Sequence, residues 1–315
     1  MPIDPRTGEQ VDSLPSMDAE GRVRTPRELR QMRKALRQQV ALMQGVLDEL
    51  HPPHPDSILA TLDRDAFPRE PPSVIVMNAL VSACAHLSSA HDFFTTKGAN
   101  RITAWSLLRP ALMSATTAGW VLVGTDETER LRRAAVVASE SMRYELAYAD
   151  NVARIPGGQI EERKAMLEER VEDLNTWADN AGVKLKRSDS VPMTSAVREV
   201  ANALHDEDEP RLSAMWNEMS SGAHGLGWHI RSRTFGAGTN PLEGSTFVEF
   251  PVDLERADYF GAVATITNYT NAVLSLARTF TTDATILAEN GMLTFDPSGE
   301  LVLTLNLQSL WQPDD

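Results

Sequence analysis

Apolar residues recur along most of this chain at steps of three and four, the period of a helix with one buried side. The first such run opens with a helix-start signature. Thr25 can cap, Pro26 takes the first helical position, and Glu28 stands three after Thr25 as in a capping box. Leu29, Met32, Leu36, Val40, Met43, Leu47 and Leu50 then form one stripe, stopped by His51-Pro52-Pro53-His54-Pro55. A second helix is predicted over 73–96, with Val74, Val76, Leu80, Ala83, Cys84 and Leu87 inward. A third, 102–123, carries Leu107, Leu108, Ala111, Leu112, Ala115, Gly119 and Leu122 and is rich in small residues, as a central helix needs for close approach. Pro110 within it predicts a kink or a late start.

Thr125 is the expected cap of a helix over 126–152, striped by Leu131, Ala135, Ala138, Met142 and Leu146. Pro156-Gly157-Gly158 breaks the chain. Ile160, Leu167, Val171, Leu174 and Ala178 mark a charged helix to about 181, stopped at Gly182. Its density of Glu, Arg and Lys suggests a helical hairpin that projects into solvent or packs on a partner. A short helix follows over 194–205, and another over 211–230 with Leu212, Met215, Trp216, Met219, Ala223, Leu226 and Ile230 on one side. Residues 246–250 read as a short strand, and Asp253 starts a last long helix to about 281. In the tail, Met292–Phe295 and Leu301–Leu305 flank the turn Asp296-Pro297-Ser298-Gly299. The expected fold is all-α: a multi-helix bundle of long antiparallel helices with a small C-terminal β-hairpin. The polar, Pro- and Gly-bearing residues 1–24 read as a flexible arm, 25–283 as the helical domain and 284–315 as the hairpin appendage.

Composition narrows the function classes. With 315 residues, 42% hydrophobic, the chain can bury a large core. One cysteine, Cys84, excludes an intrachain disulfide and favours a reducing, cytoplasmic location. The pattern shows no apolar run of membrane-spanning length, so no membrane association is expected. The formal net charge of -14 argues against broad, sequence-blind nucleic-acid binding. The exposed basic face Arg27, Arg30, Lys34 and Arg37 offers a nucleic-acid, lipid or partner contact, or simply solvates its helix. His51 and His54 stand in a proline loop without a nearby Cys or a well-placed carboxylate, so no metal or cofactor is expected.

Chemistry-bearing residues concentrate in Trp216–Arg233, which holds two Trp, two His, two Arg and three Gly. On a helix, Leu212, Trp216, Ser220 and His224 stack four apart, so Ser220 can hydrogen-bond His224 and fix its tautomer. His224 is therefore the candidate acid–base residue. Gly222, Gly225 and Gly227 weaken a helix and place a break near Gly225, putting Trp228, His229 and Arg231 at the mouth of any pocket. Arg109, Arg130 and Arg133 are the other binding candidates, and the alternative role is a buried salt bridge that holds helices in register. A phosphate loop, a His-Glu-x-x-His and a Gly-x-Ser-x-Gly are all absent from the sequence.

Arg109 in an apolar helix, Trp120 near its end, Glu129-Arg130-x-x-Arg133 opening the next, and Trp216-x-x-x-Ser220-x-x-x-His224-Gly225 together resemble an all-helical bacterial family. Its members carry an aromatic–x3–Ser–x3–His–Gly helix late in the chain. The likeness covers roughly 100–235. Where relatives place an acid one turn after the first arginine, this chain has Met113. The family is similar in flavour to HEPN-type helical bundles, some of which are metal-independent ribonucleases. Their arginine four to six residues before the histidine is absent here. Two functions follow as expectations. One is a non-catalytic helical protein, a homo-oligomer, binding a small ligand or partner through a His/Arg-lined cleft, with 25–50 or 159–181 as partner surfaces. The alternative is a HEPN-like ribonuclease, with His224 as acid–base and Arg130, Arg133 or Arg231 steadying phosphate on RNA.

Overall fold

The computed structural model describes residues 26–50, 52–93, 101–155, 160–186, 188–204, 209–223 and 256–289, with short extended pieces at 240–241, 248–249, 293–295 and 301–303. Among the described residues there are ten helices: α1 (Pro26–Glu49), α2 (Ile58–Asp65), α3 (Pro72–Phe93), α4 (Arg101–Leu122), α5 (Glu127–Ala153), α6 (Glu161–Asn180), α7 (Met193–Ala203), α8 (Glu209–Ala223), α9 (Arg256–Thr281) and α10 (Ala284–Glu289). The architecture is an all-α bundle. The extended pieces contribute no layer to its core.

α4 is the hub. It packs against α3, α9, α8, α7 and α5, and Leu108, Ala111, Leu112, Ala115, Ala118 and Val121 on it are almost fully buried. Small residues allow this. A Cβ added at Gly119 would come within 2.5 Å of Val200 Cγ1 on α7, so the two helices meet at a distance only glycine permits. α4 begins at Arg101 and runs through Pro110, so the proline sits in the helix interior and not at a late start.

α3 is long and apolar enough, by length and composition, to cross a membrane, which the sequence pattern did not lead us to expect. In this fold it packs against α1, α4 and α9, and Val76, Leu80, Ala83, Cys84 and Leu87 enter the common core. α9 carries several threonines into the core. Thr265, Thr267, Thr270 and Thr279 each donate to the carbonyl four residues earlier, at 2.7 to 3.2 Å, so none buries an unpaired hydroxyl.

Three local expectations need correction. α5 is capped by Asp126, whose Oδ1 accepts the Glu129 amide at 2.8 Å, while Thr125 only donates to Asp126 at 3.2 Å. The carboxylate wins because it sits one residue nearer the first turn and its charge suits the helix N-terminus. α2 was not foreseen, being too short to show a period; Ser57 caps it through the Ala60 amide at 3.2 Å. α6 does not project. Lys164 pairs with Asp150 at 2.7 Å and Arg163 with Glu145 at 2.7 Å on α5, Arg170 reaches Glu70, and Trp177 Nε1 donates to the Asp65 carbonyl at 3.1 Å. α6 ends at Gly182 (φ 68°), with the Val183 amide bonded back to Ala178 O at 2.8 Å, a Schellman closure that glycine makes strain-free.

Candidate functional site

Trp105, Arg109, Leu112 and Thr116 fall at helical spacing and share one face of α4. Thr116 ends that stripe in a buried hydrogen bond with Tyr269 of α9 at 3.1 Å. Arg109 meets α8 instead: its guanidinium lies 5.2 Å from the centroid of the Trp216 ring. Trp216 is buried and held from behind, its indole N–H donating to Thr194 Oγ1 of α7 at 3.2 Å. A surface hollow of about 390 Å³, lined by Pro192, Met193, Thr194, Ser195 and Arg198, opens beside Thr194.

Helix directions follow from these contacts. Arg198 pairs with Glu209 at 3.3 Å while Thr194 meets Trp216, so α7 and α8 are antiparallel. Val200 lies on Gly119 while Thr194 lies at the Arg109 end, so α7 runs with α4. Therefore α8 runs against α4. Ser220, one turn past Trp216 on the same face, advances toward the level of Trp105.

The polar groups at this end are unusual in lacking partners. Arg109 Nε and Trp105 Nε1 are buried atoms without a hydrogen-bond partner, although Trp105 is only 3% exposed. Among the described residues no carboxylate pairs with Arg109, and the residue one turn on is the exposed Met113. Ser221 Oγ is also buried and unpartnered, but it points about 140° around α8 from Trp216 and does not join this seam.

Arg130 and Arg133 do not join it either. They brace the opposite end of α4, near Trp120, three turns and about 16 Å from Arg109. Arg133 is 6% exposed and fully engaged. It donates to Trp120 O at 2.8 Å, to Glu129 at 2.8 Å and to Glu199 of α7 at 2.5 Å, and it stacks 5.0 Å above the Trp120 ring. Arg130 donates to Leu122 O at 3.0 Å and lies 5.2 Å over Phe280. Glu129 also takes two bonds from Arg132, at 2.6 and 2.8 Å. Those bonds, with Arg133 beside them, hold its carboxyl well below the usual range, at about 2. Arg133 adopts the ion-pair alternative, while Arg130 holds α5 to the end of α4 through the Leu122 carbonyl.

His224, Trp228, His229 and Arg231 lie outside the described residues, as does His51. His54 Nδ1 accepts the Asp56 amide at 3.3 Å and lies 4.0 Å from Asp283. These three residues bring their ligand-type atoms within 4.8 Å of one another. Asp283 Oδ1 is already spent on the Thr285 amide at 2.7 Å, and the cluster joins the α1–α2 loop to the start of α10. Sequence reasoning missed Trp105 and Glu199. Trp105 was legible as the residue one turn before Arg109; Glu199, on a helix far along the chain, had no local signal.

Comparison with models of protein families, with curated proteins and with solved structures found no match.

Proposed function

We propose that this chain is a non-catalytic helical protein that binds a small ligand or a partner at the α4–α8 seam, through Arg109, Trp216 and Ser220. One observation carries the reading: a part-buried guanidinium lies on an aromatic face with no carboxylate among the described residues to balance it. A cation withdrawn from water is costly unless paired, and Arg133 of α5 shows how completely this fold pairs an arginine that serves as a brace. An arginine left open beside a fixed indole is preorganised for a ligand. His224, Trp228, His229 and Arg231 follow α8 directly in sequence and stay binding candidates in this proposal.

The partner surfaces are part of this reading. α1 presents Arg27, Arg30, Lys34 and Arg37 outward, and α6 presents Glu161, Glu162, Glu168, Glu169 and Glu172. Opposite charge on two outer faces supports association of copies in the cytoplasm. We propose for the tail the small hairpin expected from the sequence, built from residues 293–295 and 301–303.

The test is a screen of chemically varied small fragments against the isotope-labelled full chain, read by NMR. Fragments that bind are expected to perturb the Trp216 indole and Ser220 amide, and to lose that effect in Arg109→Met. A screen in which no fragment perturbs either position would overturn the reading.

A further inference from the structure

We infer that the ligand of this seam carries an oxyanion, a carboxylate or a phosphate, gripped by Arg109 together with the indole N–H of Trp105. The inference rests on the binding role proposed above for the seam and adds the chemistry of what is bound.

The donor set decides it. An indole nitrogen can only donate, and a guanidinium can only donate. Trp105 Nε1 and Arg109 Nε both lack a partner, so the missing partner of both must be an acceptor. Buried donors left unmade are costly, and native folds rarely keep two together without a use. The two residues are one turn apart on α4, with Cβ atoms about 5–6 Å from each other. A group with two oxygens on one centre can accept from both donors at that spacing. Water can accept as well, but it brings no charge, and Arg109 has no carboxylate among the described residues. Trp216 contributes orientation: it covers one face of the guanidinium at 5.2 Å, so the planar fork offers its edge to the ligand. Ser220, on the same face of α8 one turn further on, adds a hydroxyl that can donate to a further oxygen.

The experiment follows the six indole N–H signals of the nitrogen-15-labelled full chain, with Trp105→Phe used to assign one of them. Sodium acetate, inorganic phosphate and acetamide are titrated separately, with sodium chloride holding ionic strength constant. The Trp105 indole proton is expected to move downfield and saturate with acetate or phosphate and not with acetamide. Whichever anion saturates at lower concentration identifies the group. Arg109→Met is expected to weaken that response by about tenfold or more, and Arg109→Lys, which keeps the charge and loses the fork, to fall between. Circular dichroism and urea midpoints confirm that both variants fold. An equal shift with acetamide would overturn the oxyanion while leaving a binding site. So would anions that leave Trp105 still while screened fragments perturb Trp216. If neither anions nor fragments move any seam signal, both the inference and the binding role fall.

Discussion

Gly119 of α4 faces Val200 of α7 so closely that a methyl group at 119 would come within 2.5 Å of Val200 Cγ1 and 3.3 Å of Val273 Cγ2. Val200 is fully buried and cannot swing clear. Gly119→Ala gains about 1 kcal/mol of helix propensity and loses about 1–3 kcal/mol to overpacking. The expected result is a net loss of about 1 kcal/mol in urea unfolding, recovered in part by adding Val200→Ala. A Gly119→Ala protein more stable than wild type would show that α7 yields where this packing says it cannot.

Arg109 and Arg133 should part company when each is replaced by Met. Arg133→Met strands the Trp120 carbonyl and Glu199, leaves Glu129 only its bonds from Arg132, and is expected to cost about 3 kcal/mol. Arg109→Met removes a cation with an unpartnered Nε, and stability should stay within about 1 kcal/mol of wild type. Equal losses from the two substitutions would make Arg109 a brace as well.

Acid sensitivity should centre on Glu129. Its carboxyl titrates at about 2 in the fold against an ordinary 4.5, chiefly through its bonds from Arg132. A depressed carboxylate contributes stability that is present above the unfolded value and is lost as pH falls through the folded one. Wild type is therefore expected to lose stability progressively between about pH 4.5 and pH 2, and Glu129→Gln to start lower at pH 7 with a shallower decline. Parallel stability–pH curves for the two proteins would count against this role.

Cys84 should report opening of the core. Burial among α3 neighbours pushes its thiol up to about 12, so at pH 8 little thiolate exists and access is closed. A disulfide reagent is expected to label native protein far more slowly than urea-unfolded protein, with a rate that follows the unfolding equilibrium. Prompt labelling without urea would mean that α3 opens locally.

Much of the helical scaffold was legible in the residues themselves. The stripe Leu36-Val40-Met43-Leu47 shows which side of α1 is buried, because a 3.6-residue period is a local property that needs no neighbour to read. Gly182 marked the end of α6 for the same reason: a left-handed residue is a backbone matter. Residue type also made Arg109, Trp216 and Ser220 worth watching. What tertiary structure alone decided was which helix covers each stripe. Arg109, Arg130 and Arg133 look alike in sequence, yet Glu199 and the Trp120 carbonyl claim Arg133, the Leu122 carbonyl claims Arg130, and Arg109 is left against an indole. For Arg109 and Arg133 that sorting depends on α7 and α8, more than sixty residues further along the chain, arriving side by side and antiparallel along α4. Long-range shape matching, such as the Gly119–Val200 contact, sets their placement, and no local period encodes it.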